Sequence, residues 1–338
     1  MPVTTNKRVR FGIIGFGLHA TKRLMPGFAH AERSTVTALT RRNLERAQKS
    51  AREYGIDHAY VSVEELCAND AVDAVFVASP NAYHLDHTLA ALIEGKPVLV
   101  EKPMALDAEQ CRRMIDAAHQ ARLPLGVAQI FRFHASVNRI RQLLADGAIG
   151  KLTFARCEFS FFGRGHARAW LNDPAVAGGG PIFDIGVHCI DALRYILRDE
   201  ITEVSTITHS DEESGQVEAA ATLTLRFASG LIASVPVSYR AEYRTPMEFV
   251  GEGGVLRADD ALTVEHPVAI NLLHHGKVVS REEVSNAASY AHQVDAFAAA
   301  VLGERAYPIP GEEGWRNQVI IDAAYRSARI GSVEHVYF

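Results

Sequence analysis

Cysteine is scarce and scattered. Four thiols in 338 residues, Cys67, Cys111, Cys157 and Cys189, show no CxxC spacing, which speaks against a disulfide framework or a zinc ribbon and predicts buried thiols in a reducing, cytoplasmic setting. An excess of one charge is also missing. The 35 Lys and Arg against 40 Asp and Glu give a formal net charge of -5 without a block of like sign, so no basic surface is on offer to a nucleic acid or a membrane. No apolar run reaches membrane-spanning length. The stretch after Lys7, Arg8 and Arg10 loosely imitates a secretory signal, but FGIIGFGL is short and interrupted by glycine, as a buried strand entering a glycine loop would be. Internal repeats and low-complexity tracts are absent too. With 48% hydrophobic residues, a chain of this length can bury two cores.

The first half alternates strand and helix patterns, the rhythm of a doubly wound parallel sheet. An apolar strand over residues 9–14 runs into Gly15-Phe16-Gly17-Leu18-His19-Ala20, a GxGxxA loop opening a helix. Gly15 permits the tight turn, Gly17 lets a pyrophosphate approach the backbone, and Ala20 lets the helix pack on the strand. The helix N-terminus adds free N–H groups and a favourable dipole for an anion. Pro26 inside this helix predicts a kink. Further strands are expected at residues 35–39, 74–78, 97–100 and 125–128, and Ser62 with Glu65 and Asp107 with Gln110 fit capping boxes. At the end of the second strand, where a carboxylate would grip the ribose of NAD, stand Thr40, Arg41 and Arg42. Two guanidinium groups predict NADP, with NAD as the alternative.

Three further segments carry chemistry. In GGGPIFDIGVHCID, a glycine run read as flexible precedes Asp184, His188 and Asp191 at i, i+4 and i+7, which would share one helix face beside an apolar stripe of Phe183, Val187, Ile190 and Leu197. An Asp beside a His suits a general base near neutral pH. The other two, Ser79-Pro80-Asn81-Ala82-Tyr83-His84 and Glu101-Lys102-Pro103, sit at carboxyl ends of strands, where such sheets bind ligands. Hydride transfer from an alcohol needs a base for the hydroxyl proton and a positive group at the oxygen; His188 and Lys102 can supply them, with Asp184 orienting one or the other. His84 and His87 lack a carboxylate or thiol to complete a metal site, and solvent or nucleotide contact is expected for them instead.

Together with the segment QVDAFAAAVLGE, these motifs resemble, over essentially the whole chain, the Gfo/Idh/MocA family of glucose-fructose oxidoreductase, inositol dehydrogenase and dihydrodiol dehydrogenase. The resemblance implies that Lys102 contacts the nicotinamide ribose and the substrate oxygen, and that His188 is the acid/base with Asp184 beside it. It places Asn81 and His84 near the nicotinamide, with Ser79, Pro80 and Glu101 in the same cofactor region, and Arg132 near the active site. A cis Lys102-Pro103 bond, as in some relatives, is compatible with it. His166, Arg168 and Trp170 either line the substrate pocket or belong to a surface loop.

From Lys151 onward the pattern turns to period two, clearest in Val217, Ala219, Ala221, Leu223, Leu225 and Phe227, and again in Leu231, Ala233, Val235 and Val237. The fold expected is α/β plus α+β: a Rossmann domain over residues 1–126, and over 127–338 a large, mainly antiparallel sheet covered by helices on one face. The open face implies a homodimer or homotetramer, as the resemblance suggests. The function expected is a cytoplasmic NADP-dependent oxidoreductase acting on a hydroxyl or carbonyl of a sugar, polyol or related small molecule. A non-catalytic sugar- or nucleotide-sensing regulator and an S-adenosylmethionine methyltransferase are the rivals; intact Lys102, Asp184 and His188 weigh against the first, Arg41, Arg42 and the EKP segment against the second.

Overall fold

A computed structural model describes residues 8–163, 169–212 and 215–338. The chain divides into two compact units, Met1–Ala128 with Tyr290–Trp315, and Gln129–Ser289 with Arg316–Phe338.

In the first unit, β1 (Val9–Ile14), β2 (Ser34–Thr40), β3 (His58–Tyr60), β4 (Ala74–Val77), β5 (Val98–Glu101) and β6 (Leu125–Ala128) form a sheet in the order β3-β2-β1-β4-β5-β6. Every pairing is parallel. Strands covered by helices on both faces must be apolar throughout rather than alternating, and AVFV of β4 is buried at all four positions. The order reverses between β1 and β4, which opens a crevice at their carboxyl ends.

Helices in this unit start where the sequence marks them, but the predicted reciprocal caps are only half formed. The Ser62 hydroxyl accepts the Glu65 N–H at 3.2 Å but donates to Glu64, and Asp107 accepts the Gln110 N–H at 2.7 Å while the Gln110 amide returns to the Asp107 carboxylate. Near Pro26 the winding changes: Ala20–Leu24 is a π-helix, in which the Met25 N–H reaches back to the Ala20 carbonyl, and Met25–His30 continues as α-helix. Proline thereby stands in a first turn, where a missing N–H costs little.

The segment Tyr290–Trp315 completes this unit. Asp295 accepts hydrogen bonds from the N–H groups of Glu32 and Arg33 and from the Ser34 hydroxyl. Phe297 packs against Phe11 with ring centroids 6.2 Å apart, and the Val127 N–H donates to the Ile309 carbonyl.

The second unit is built on β7 (Leu152–Cys157), β8 (Phe159–Phe162), β9 (Ile201–His209), β10 (Ala220–Phe227), β11 (Ile232–Ser238), β12 (Arg240–Arg244), β13 (Met247–Gly251), β14 (Gly254–Ala258), β15 (Val268–His274), β16 (Lys277–Val284) and β17 (Glu334–His335). The main path runs β16-β15-β14-β13-β7-β11-β10-β9-β17, with β8 paired to β11 and β12. Among the strands described, β11 pairs in parallel with β7 and β8, and the other strand pairs are antiparallel. The period-two pattern is realised in β10 and β11: Ala221, Leu223, Leu225, Ala233, Val235 and Val237 are buried, whereas Thr222, Thr224 and Arg226 face outward. Val187–Leu197, the helix that carries His188 at the end of the segment Asp184-Ile185-Gly186-Val187-His188 (DxGxH), lies buried over most of its length. Among the described residues no helix is long and apolar enough to cross a membrane.

Candidate active site

Three turns meet at the carboxyl ends of β1, β4 and β5. Gly15 has φ +83, and a Cβ there would stand 2.6 Å from the backbone of Ser79. Glycine alone therefore lets the first turn lie against the second. The buried Thr40 holds this turn to β2, accepting the Gly15 N–H on its hydroxyl at 3.1 Å and the Phe16 N–H on its carbonyl at 3.0 Å. At Gly17 the surroundings are open; the nearest atom to a Cβ would be the Gly15 carbonyl oxygen, 3.8 Å away. This is a cradle of the kind a pyrophosphate fills at a helix start. Leu18 stands exposed beside it, and Ala20 is buried against the sheet.

The third turn is fixed by side chains. His19 places Nε2 2.8 Å from Glu101, whose other oxygen accepts the Lys102 N–H at 3.2 Å. Burial works against ionisation of Glu101, but the His19 ring and the Lys102 charge outweigh it and hold the carboxyl below its ordinary value. The Lys102-Pro103 peptide is cis. Ser79 and Asn81 are buried at the neighbouring turn, with Pro80 between them partly covered. His84, expected to meet solvent or nucleotide, has instead 0% exposure, with Nδ1 2.9 Å from the Pro103 carbonyl and Nε2 2.8 Å from the Ser79 carbonyl. His87 faces the Ser79 hydroxyl and stacks on Tyr83. Beyond β2, Arg41 is half-buried and donates to the Ser50 hydroxyl at 2.6 Å, while Arg42 is exposed.

In the second unit, Ile182–Gly186 is wound as a π-helix before the α-helix Val187–Leu197. The glycine run ahead of it is packed rather than flexible. Gly178 has φ +86 with the Phe183 ring against it, and side chains at Gly179 and Gly180 would collide with Tyr325 and Glu218. Glu218, 6% exposed, accepts the N–H groups of Gly180 and Ile182 at 3.1 and 3.0 Å and the Tyr325 hydroxyl at 2.8 Å. Burial raises its pKa against the pull of these donors. The carboxylate thus anchors the start of the DxGxH segment.

Asp184 accepts the Tyr239 hydroxyl at 3.1 Å, and His188 lies beside the rings of Phe131 and Phe159, with centroids 4.3 and 6.0 Å away. Asp191 does not extend the same functional stripe. It is 1% exposed and accepts two donors of Arg132, Nε at 2.9 Å and Nη2 at 2.7 Å, and the Asn317 amide at 2.8 Å. Arg132, expected near substrate, is thereby committed to a buried carboxylate. Trp170 is half-buried in the turn Ala169–Asn172, whereas His166 and Arg168 lie outside the described residues. Glu218, Tyr239 and Tyr325 gave no sign in the sequence of serving this segment; Glu218 read as an outward position of an alternating strand.

Residues 9–129 match the oxidoreductase family with an NAD-binding Rossmann fold, and residues 137–257 match the GFO/IDH/MocA C-terminal domain. The chain belongs to the Gfo/Idh/MocA oxidoreductases. Among relatives in this family, it is 33% identical over 307 residues to 1,5-anhydro-D-fructose reductase of Ensifer adhaerens, covering 90% of this chain and 92% of that protein. It is 31% identical over 324 residues to D-xylose 1-dehydrogenase (NADP(+)) 2 of Haloferax volcanii, covering 95% and 98%. The crystal structure of aldose-aldose oxidoreductase from Caulobacter crescentus, complexed with glycerol, superposes with a TM-score of 0.90 at 28% identity, covering 98% of this chain and all (100%) of the other.

Proposed function

We propose that this chain is an NADP-dependent oxidoreductase that interconverts a secondary alcohol and a carbonyl on a sugar, polyol or related small molecule. The observation that supports it most is the built turn at Lys102, where Glu101, His19 and His84 hold a lysine at the carboxyl end of β5, next to the open cradle at Gly17. A dinucleotide fits the residues present: Gly15 to Ala20 for the pyrophosphate, Thr40, Arg41 and Arg42 for the adenosine end, and Ser79, Pro80, Asn81, Glu101 and Lys102 toward the nicotinamide. Bound there, the nicotinamide supplies the hydride donor or acceptor. Lys102 places positive charge on the substrate oxygen, and His188 removes or returns the hydroxyl proton. Asp184, itself held by the Tyr239 hydroxyl, orients and supports that proton transfer.

The relatives are named as a reductase and a dehydrogenase of sugars, which favours turnover over a regulatory role. Following the NADPH absorbance band tests the reading, with 1,5-anhydro-D-fructose and keto sugars in the reducing direction, and D-xylose, D-glucose, polyols and aromatic dihydrodiols in the oxidising one. Turnover of at least one compound is expected. A protein that binds NADPH and turns over none of them would be the regulator.

Preference for NADP rests on Arg41, pre-set by its bond to Ser50, and on the exposed Arg42. A charged hydrogen bond to a 2′-phosphate contributes about 1.5–3 kcal/mol, so Arg41→Ala is expected to weaken NADP roughly ten- to a hundredfold and leave NAD nearly unchanged. Equal or tighter binding of NAD by the unaltered protein, measured by fluorescence titration, would reverse the preference. The four cysteines are all buried, and burial chiefly pushes Cys67 up to about 12, which favours a reducing, cytoplasmic setting. Association into a homodimer or homotetramer through the outward face of the sheet completes the proposal.

A further inference from the structure

The side chain of His84 is sealed inside the first unit and touches backbone at both of its nitrogens. Nε2 lies 2.8 Å from the carbonyl of Ser79, at the end of β4, and Nδ1 lies 2.9 Å from the carbonyl of Pro103, next to Lys102. A histidine that only filled space could have been a Leu or Phe; two polar contacts at hydrogen-bond distance and 0% exposure mark a specific link. The turn it reaches is held at its other end by Glu101, which accepts the Lys102 N–H and pairs with His19. Lys102 is therefore presented from a segment gripped on both sides, and the grip on the Pro103 side is the His84 ring.

We propose that His84 is a positioning residue for Lys102, tying the lysine-bearing turn after β5 to the cofactor-side turn after β4. The inference rests on the role given to Lys102 above. Carbonyl oxygens only accept, and a neutral imidazole has one N–H. Burial holds His84 below the usual histidine range, against the pull of the two carbonyls and of Glu101; a neutral ring would donate to one of the two carbonyls and a protonated ring to both. A side chain with one donor recovers part of the link, and one without donors recovers none of it.

His84→Phe keeps a flat ring, somewhat larger, and removes the donor; His84→Gln keeps a donor at close to the original volume. For any substrate that the unaltered enzyme turns over, His84→Phe should lower kcat about ten- to a hundredfold. Substrate KM and NADPH affinity should stay within about threefold, and the isotope effect from C4-deuterated NADPH should rise because hydride transfer becomes slower. His84→Gln should regain part of kcat. Loss through unfolding alone would reduce the number of active molecules without changing the isotope effect.

A second readout needs no substrate: Lys102 is tagged by 13C reductive methylation, and its NMR signal is assigned by its disappearance in Lys102→Ala. The signal should move in both His84 variants. If the Phe variant does not fold, the Gln variant carries both measurements. An unmoved Lys102 signal, or unchanged kcat and isotope effect in a folded variant, would overturn the proposal. Absence of turnover in the unaltered enzyme would count against the proposed function instead, and the NMR result would still decide the role of His84.

Discussion

His188→Ala is expected to lower kcat by about a hundred- to ten-thousandfold, the usual contribution of a positioned acid/base. Cofactor affinity should hardly change, because the substitution leaves every residue of the dinucleotide cradle from Gly15 to Ala20 in place. Its ring is set by its place on the helix Val187–Leu197 and by Phe131 and Phe159, which pack beside it. Alanine removes the proton-transfer group but leaves the Glu218 anchor of the segment intact. Lys102→Ala should produce a loss of similar order through a different cause, since the oxygen loses a positive partner while the proton still has an acceptor. Steady-state kinetics together with NADPH titration separate these effects. Turnover within about threefold of the unaltered enzyme, in either variant, would remove that residue from the mechanism.

Asp191→Ala is expected to destabilise the second unit by about 3–5 kcal/mol, the penalty for leaving one member of a buried ion pair alone. The carboxylate is 1% exposed and takes donors from Arg132 and Asn317, and Arg132 itself keeps only 10% of its side-chain surface. Without Asp191 a guanidinium group would remain in a site too dry to solvate it. Replacing both partners, as Arg132→Met with Asp191→Leu, should recover most of the loss, because two apolar groups strand no charge. Denaturant unfolding of the two variants checks this. A loss under about 1 kcal/mol for Asp191→Ala would fit a surface pair and would return Arg132 to the pocket.

Elements whose residues contact their own sequence neighbours, or repeat with a fixed period, were legible in advance. The strand-loop-helix at Gly15, the doubly wound parallel sheet implied by alternating strands and helices, and the period-two rows of β10 and β11 all belong to this class. What the sequence hid was the partner of each polar group. Arg132 and Asp191 stand 59 positions apart, and Glu218 and Gly180 38; no periodicity reports such a pairing. The glycine run misled for the same reason. Its residues are small because Phe183, Tyr325 and Glu218 occupy the space a side chain would need, and two of those three lie far along the chain. His84 was readable as part of a motif but not as a buried link, since burial depends on the turn after β5 closing over it.

The late return of Tyr290–Trp315 to the first unit has a consequence for biosynthesis. Until the ribosome has made residues beyond 289, Ser34 lacks Asp295, Phe11 lacks the Phe297 ring and β6 lacks the backbone partner supplied by Ile309. A nascent dinucleotide-binding sheet is thus complete in its strands but bare along one flank, through the whole translation of the intervening segment. Excised at Ala128, the same piece would carry that sticky flank permanently, and fusing 290–315 back onto it would be the remedy.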